Sequence, residues 1–246
     1  MEDLEPVNRA MIVAPHPDDA EFGCAGTVAK LTDAGKEVFY VIATNGNKGG
    51  RDTDMSASYL RDERRAEQEA AARVLGVKEV VFLDFGDGDL EDDHTFRSSL
   101  VYEIRRLKPD IVFTTDPFRT SFYIHRDHRI TGLVTIDAVF PYARDKLHYP
   151  EHIESGLLGH NVQEVFFWGA EMPNVFIDIG DAVEKKIESL AAHQSQLSDW
   201  AGGKDQTAFG DMIRKMCRRP AQQHGLDFEY AETFRKFGIR RMWEES

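Results

Sequence analysis

The stretch AMIVAPHPDDAE at residues 10–21 decides the fold, because it joins a short apolar run to a polar turn. The apolar run at 10–14 predicts a buried strand, since strands covered on both faces of a sheet read as continuous apolar segments. The pattern over 22–35 predicts a helix that ends at Gly35. Strand, turn and helix in this order form the opening unit of an alternating α/β domain.

The same alternation continues along the chain. Further strand-like runs lie at 37–44, 77–83, 110–115, 165–168 and 175–179. Helical patterns lie at 59–75, 95–107, 129–140 and 183–197, and the tail from Phe209 is mixed. Repeated strand–helix pairs predict right-handed crossovers and a mostly parallel sheet. We therefore expect a single domain over 1–246, with a Rossmann-like three-layer α/β core at about 8–170 and a C-terminal α/β extension at about 171–246.

Composition excludes several classes of partner. The 246 residues include 30 Lys plus Arg against 43 Asp plus Glu, and the formal net charge of −13 argues against nucleic acid or an anionic membrane as main partner. Two cysteines are too few for a thiolate zinc site and suit a reducing compartment. The acidic start lacks the features of a signal peptide, and no apolar run approaches the roughly 20 residues of a membrane helix. A cytoplasmic protein without integral membrane association is expected.

Polar, chemically active residues follow the first and the fourth predicted strand. In an open sheet of order 3-2-1-4-5, ligands bind beyond the carboxyl ends of strands one and four, where the strand order reverses. Residues 15–21 (PHPDDAE) follow strand one. Residues 125–128 (HRDH) follow strand four after a loop at 116–124. We therefore expect the two segments to line one site.

Imidazole and carboxylate groups are closely spaced in both segments. His16 and Asp19 lie three residues apart at a strand-to-helix turn. His125 and His128 lie three apart at a helix start and can share a face. Imidazole and carboxylate without thiolate suit Zn²⁺ or Fe²⁺ in a catalytic site, which keeps a coordination position for water.

One assignment fills every role of a hydrolytic metal site. Two imidazoles and one carboxylate would bind the metal: His16, Asp19 and His128. Asp18 would act as general base for the metal-bound water, His125 would stabilise the oxyanion, and Asp127 would orient an imidazole. The simpler alternative is an acidic turn that caps a helix and a solvated pair of histidines. The placement of both segments at adjacent strand ends favours the site.

At these residues the sequence resembles the PIG-L/LmbE-like superfamily, zinc-dependent enzymes that remove acetyl groups from N-acetylglucosamine derivatives. Its opening motif A-H-P-D-D-A-E matches residues 14–21, with Pro15 inserted, and its H-x-D-H motif matches 125–128. The resemblance implies zinc, with Fe²⁺ or another divalent metal as alternative, and the same ligands, base and oxyanion partner. Arg126 stands where the family usually has Pro, which leaves substrate preference open.

Weaker features of the family are also present. Arg64-x-x-Glu67 and Asp87-Gly88 match family positions, as does the H-x-S-Q run at 193–196. The resemblance implies that Arg64 and Asp87 contact substrate hydroxyls or a bound anion. Arg119 precedes the second motif and is a third candidate for substrate binding.

We therefore expect a metal-dependent hydrolase that removes the N-acetyl group from an N-acetylglucosamine-type sugar, acts on a small amino-sugar substrate and forms a homo-oligomer. One alternative is an amidase for another N-acyl glycoconjugate. Another is a non-catalytic Rossmann-like binder of a sugar or a dinucleotide. The dinucleotide reading lacks its G-x-G-x-x-G fingerprint, since only Gly23 and Gly26 stand after strand one, and Asn45 replaces the expected acidic residue.

Overall fold

The computed structural model describes residues 4, 7–50, 55–121, 123–201 and 206–239. Seven strands form one sheet: β1 (Arg9–Ala14), β2 (Glu37–Thr44), β3 (Glu79–Phe85), β4 (Ile111–Thr115), β5 (Glu164–Trp168), β6 (Val175–Asp178) and β7 (Ala231–Gly238). The helices are α1 (Asp19–Asp33), α2 (Ala57–Leu75), α3 (His94–Leu107), α4 (Arg126–Asp137), α5 (Pro150–Glu154), α6 (Val183–Ala191), α7 (Gln194–Ala201) and α8 (Gln206–His224). A π-helical turn, Ala138–Tyr142, extends α4.

The strand order is β3-β2-β1-β4-β5-β7-β6, and the strands from β1 to β5 are parallel. Alternate residues of β1 point to opposite faces of the sheet. Ile12 and Ala14 belong to one hydrophobic cluster, and Met11 and Val13 belong to the other. Helices cover both faces, so the prediction of a Rossmann-like α/β fold with a mostly parallel sheet is confirmed.

Two predicted helices differ from the observed ones for local reasons. The helix expected over 183–197 is divided into α6 and α7, because the chain turns at His193 and buries that imidazole 3.4 Å from Glu21. The helix expected from residue 129 begins at Arg126, because the His125 ring caps it by accepting from the backbone N–H of Asp127.

The C-terminal part adds two strands to the sheet, and one of them, β7, runs antiparallel to the others. Strand β7 lies between β5 and β6 and pairs antiparallel with both. Helix α8 packs against β7, and both belong to the tail that the sequence analysis left unassigned. Among the helices of the described ranges, none is both long enough and apolar enough to cross a membrane.

Candidate active site

The two polar segments meet at the carboxyl edge of the sheet. Strands β1 and β4 are adjacent and parallel, so the residues that follow them lie side by side. They open into a cavity of about 590 Å³, a volume typical of small-molecule sites. One end of the cavity is lined by the predicted imidazoles and carboxylates: His16, Asp18, Asp19, Asp87, His125 and His128.

Asp19 lies in contact with both imidazoles that the sequence predicts as metal ligands. Asp19 Oδ2 lies 2.9 Å from His16 Nδ1 and 3.1 Å from His128 Nε2. Donor atoms of a tetrahedral zinc site, with bonds of about 2.0–2.2 Å, lie about 3.3 Å from one another. His128 Nε2 is buried and makes no hydrogen bond with good geometry to any described residue. Asp19 Oδ2 is therefore close enough to each imidazole nitrogen to share a divalent cation with it.

The second ring nitrogen of His16, Nε2, lies next to two carboxylates. It lies 2.9 Å from Asp127 Oδ2 and 3.2 Å from Asp87 Oδ1. Burial lowers the pKa of His16, but hydrogen bonds to Asp127, Asp19 and Asp87 outweigh it and hold this pKa well above its ordinary value. When His16 Nδ1 binds a metal, Nε2 must carry the proton, and the Asp127 carboxylate is placed to accept it. Asp127 thus orients an imidazole in this geometry.

Two groups of described side chains are spaced so that each could hold a metal, and both contain His16 and His125: the first adds His128, the second adds Asp87 and Asp127, and Asp19 belongs to neither. His125 Nδ1 accepts a hydrogen bond from the Asp127 N–H at 3.2 Å, so the neutral ring carries its proton on Nε2. Metal binding through Nε2 would move that proton to Nδ1, against the N–H. Burial and the nearby His16 lower the pKa of His125, which favours the neutral ring. The capping hydrogen bond therefore favours His125 as a hydrogen-bond donor through Nε2 rather than as a metal ligand.

Asp18 has a constrained backbone and an unusual environment. Its φ of 95° lies in the left-handed region, and its N–H donates to Gln68 Oε1 at 2.9 Å. Burial raises the pKa of Asp18 to about 6, although the guanidinium of Arg64 opposes the shift. A carboxylate that accepts and releases a proton near neutral pH is suited to general base catalysis.

Arg64 is buried, although the many charged residues of its helix, α2, predict a side chain exposed to solvent. Its Nη2 donates to Asp18 Oδ2 at 2.8 Å and to the Pro17 carbonyl at 2.6 Å, and its Nη1 donates to the Gly46 carbonyl. A Cβ on Gly46 or Gly49 would lie 2.5 Å from Nη1. The glycine-rich loop therefore closes around the guanidinium, and this close approach requires glycine.

Arg119 lines the cavity beside the metal ligands. Its Nη2 donates to Thr115 Oγ1 at 2.7 Å and to the Trp168 carbonyl at 3.2 Å. Thr115 Oγ1 in turn lies 3.3 Å from His128 Nδ1. Arg119 is thus connected through one hydroxyl to a predicted ligand. Burial lowers the pKa of its guanidinium.

Aromatic residues also line the cavity, and the sequence analysis did not single them out. They come from α1, the end of β5 and α7: Phe22, Trp168 and Trp200. Trp168 packs so closely on α1 that a Cβ on Gly23 would lie 2.5 Å from its ring. Tyr123 also lines the cavity, with its ring centroid 4.9 Å from that of His128. The available signal was position, because Trp168 ends a strand that pairs with β4.

A buried ion pair supports α1 from the C-terminal part. One residue in the second turn of α1 is not helical (φ −152°, ψ 17°), which kinks the helix. Glu232 accepts hydrogen bonds from Gly26 N at 2.9 Å, Thr27 N at 2.8 Å and Thr27 Oγ1 at 2.6 Å. Lys186 Nζ lies 2.6 Å from Glu232 and 2.8 Å from the Phe22 carbonyl. The pair therefore satisfies backbone groups that the kink releases.

Known proteins resemble this chain in sequence and in fold. The family model described as PIG-L, GlcNAc-PI de-N-acetylase, matches residues 11–139. The diacetylchitobiose deacetylase of Thermococcus kodakarensis is 36% identical over 198 residues, which cover 80% of this chain and 73% of the relative. A probable N-acetyl-alpha-D-glucosaminyl L-malate deacetylase 2 of Bacillus cereus is 27% identical, with coverage of 76% and 82%. The inhibitor complex of N,N'-diacetylchitobiose deacetylase from Pyrococcus horikoshii superimposes with a TM-score of 0.87 at 31% identity, covering 96% of this chain and 85% of that one.

Proposed function

Because the chain belongs to the PIG-L family of de-N-acetylases, we propose that it is a metal-dependent deacetylase of N-acetylglucosamine-type sugars. The contacts of Asp19 Oδ2 with His16 Nδ1 and His128 Nε2 carry this proposal. Two imidazoles and one carboxylate are the donors of many hydrolytic zinc sites, and Fe²⁺ accepts the same donors. We therefore propose Zn²⁺, with Fe²⁺ as the alternative.

The protein groups around this point fit hydrolysis of an amide. His16, Asp19 and His128 would hold a divalent ion, which would supply Lewis-acid polarisation of the acetyl carbonyl and a lowered pKa of a water molecule. Asp18 takes a proton from the attacking water, and the Nε2–H of His125 donates to the oxyanion that develops on the carbonyl oxygen. The C–N bond then breaks. Asp18 returns its proton to the leaving nitrogen, so that acetate and a free amine are the products.

The guanidinium groups of the cavity are proposed substrate contacts. Arg64 and Arg119 each have a buried Nε–H that makes no hydrogen bond to a described residue, which supports a role for both in binding sugar hydroxyls. Asp87 already interacts with His16 and with the Lys48 N–H. We propose that Asp87 accepts at most one further hydrogen bond, from a substrate hydroxyl.

We also propose that the chain is one domain, since the core and the C-terminal extension line the same cavity. Trp168 belongs to the core, whereas Trp200 and Met216 belong to the extension. A homo-oligomeric state stays a prediction, which light scattering tests.

The aromatic side chains that line the cavity support a second candidate activity, an amidase that accepts an acyl group longer than acetyl.

Acyl release tests both activities. The substrates are N-acetylglucosamine, its β-linked dimer and N-butyrylglucosamine, and the proteins are wild type, Asp18→Asn and the control Glu184→Gln. Glu184 is an exposed carboxylate on α6 that pairs with Arg214, outside the cavity. We expect acetate release that is lost after chelation, restored by Zn²⁺, absent in Asp18→Asn and unchanged in Glu184→Gln. Faster release of butyrate than of acetate would favour the amidase. Undiminished turnover by Asp18→Asn would contradict the proposed base.

A further inference from the structure

The loop between β4 and α4 forms one rim of the cavity. It carries three residues that line the cavity, Arg119, Tyr123 and His125. Tyr123 has a φ of 48°, in the left-handed region that residues other than glycine rarely adopt. A loop with such a backbone keeps its shape only when surrounding groups hold it.

One carboxylate from the neighbouring loop binds this rim at several points. Glu171 Oε1 accepts hydrogen bonds from Thr120 N, Ser121 N and Ser121 Oγ, each 2.8 Å long. Its Oε2 accepts from Thr120 Oγ1 at 2.7 Å. These hydrogen bonds lower the pKa of Glu171 to about 2, which favours the charged carboxylate. A charged acceptor with this many donors is a stronger anchor than a neutral one.

The two loops also touch beside the predicted metal ligands. Gly169, which directly follows β5, has a φ of +68°, and a Cβ there would lie 2.3 Å from Arg119 Nη2. Arg119 therefore lies directly on the backbone two residues before Glu171. The same Arg119 nitrogen reaches Thr115, which lies next to His128.

A separate anchor holds the start of the rim. Asp116 Oδ1 accepts from Phe118 N at 2.8 Å and from Arg235 Nη2 at 2.9 Å. The Arg235 guanidinium lies 5.2 Å from the Phe118 ring centroid, in cation–π range. Asp116 and Arg235 are largely buried, whereas Glu171 is exposed. Loss of Glu171 should thus release the middle of the rim and leave its start, and the fold, in place.

We propose that Glu171 is a positioning residue, which fixes Thr120, Ser121 and the adjoining Arg119 so that substrate meets a preformed cavity wall. The inference rests on the proposed deacetylase function. Without the carboxylate, the rim populates other conformations, and substrate binding must pay for ordering it. The main effect then falls on KM, because the ordered complex has the same reacting groups.

Two variants of graded severity test this role. Glu171→Gln keeps one acceptor oxygen, and Glu171→Ala keeps none. Glu184→Gln is the matched control. Glu184, like Glu171, is an exposed glutamate whose carboxylate accepts hydrogen bonds, in this case two from Arg214. For the substrate that wild type hydrolyses, we expect KM to rise about 3-fold in Glu171→Gln and about 10-fold in Glu171→Ala, with kcat within about 2-fold. Zn²⁺ affinity should not change.

Hydrogen exchange supplies a readout that does not need activity. The Thr120 and Ser121 amides should exchange faster in both Glu171 variants and at the wild-type rate in Glu184→Gln. A KM in Glu171→Ala within about 2-fold of wild type, or a parallel loss of kcat and Zn²⁺ affinity, would overturn the proposal. A wild-type protein that hydrolyses none of the substrates contradicts the proposed function instead. In that case, unchanged exchange of the Thr120 and Ser121 amides in Glu171→Ala would contradict the proposal that Glu171 holds the rim.

Discussion

Replacement of the buried pair Lys186–Glu232 tests whether Glu232 acts mainly as a cap for the kinked helix α1. The pair is almost fully buried, with side-chain exposures of 3% and 4%, so solvent screens it little. The informative changes are Lys186→Met, Glu232→Leu and the double variant, because each replacement has a similar volume. An ordinary buried ion pair tolerates joint replacement by apolar residues, whereas loss of one partner alone is costly.

The contacts predict a different ranking here. Lys186→Met leaves Glu232 with its donors from Gly26 and Thr27, so we expect the free energy of unfolding to fall by about 3 kcal/mol, the lower limit for a broken buried pair. Glu232→Leu leaves the Lys186 charge with the Phe22 carbonyl and also strands two backbone N–H groups. Each stranded group costs about 1–3 kcal/mol, so this variant should lose about 5 kcal/mol or more. The double variant still strands the two N–H groups and should lose about 2–6 kcal/mol.

Urea unfolding followed by circular dichroism measures these differences, and Glu232→Gln serves as a milder replacement when Glu232→Leu does not fold. Lys185→Met is the matched control, because Lys185 lies on the same helix and pairs with Asp33 in solvent. We expect less than about 1 kcal/mol for this control. A double variant as stable as wild type, or a larger loss in Lys186→Met than in Glu232→Leu, would refute the capping argument.

Three other outcomes follow from the described contacts. Gly23→Ala places a Cβ 2.5 Å from the Trp168 ring, so we expect a loss of about 1–3 kcal/mol and slower turnover, measured by thermal unfolding and acetate release. His125→Ala should lower kcat by about 10²–10³ and keep Zn²⁺ affinity, which calorimetry checks; lost affinity would instead make it a ligand. The pKa of Glu171 is lowered from 4.5 to about 2 by its hydrogen bonds to the rim, so Glu171 binds a proton more readily when the rim is released than when it is held. The hydrogen bonds from Glu171 to the rim should therefore be fully formed above about pH 4.5 and lost as pH falls towards 2. Their loss should be seen as faster exchange of the Thr120 amide. An exchange rate that does not depend on pH, after correction for intrinsic exchange, would contradict this prediction.

The sequence was most informative where function depends on strand ends. The apolar run before Pro15 and the run before Asp116 were enough to place two motifs at one edge of a parallel sheet, because topology fixes which ends are adjacent. The structure places Asp19 Oδ2 2.9 Å from His16 Nδ1 and 3.1 Å from His128 Nε2, whereas the role of these atoms as metal ligands stays a prediction.

Contacts between distant segments were beyond the sequence pattern. Arg64 lies on a charged, amphipathic helix, and its burial depends on a loop carbonyl and a carboxylate 46 residues away. Nothing in the periodicity of residues 231–238 predicts insertion between two earlier strands, since antiparallel partners are chosen by tertiary packing. The aromatic side chains that line the cavity were missed for the same reason, because they share no motif.

The insertion of β7 between β5 and β6 has a consequence for the order in which the molecule is built. During synthesis, β1 to β5 emerge early and can pair, whereas β6 pairs within the described ranges only with β7. The same late segment supplies Glu232, which reaches back 206 residues to Gly26, and Arg235, which holds the rim loop. Contacts of such long range form slowly. A nascent chain that stops before residue 231 should therefore expose an unpaired β5 edge, which can pair with other chains until β7 is synthesised.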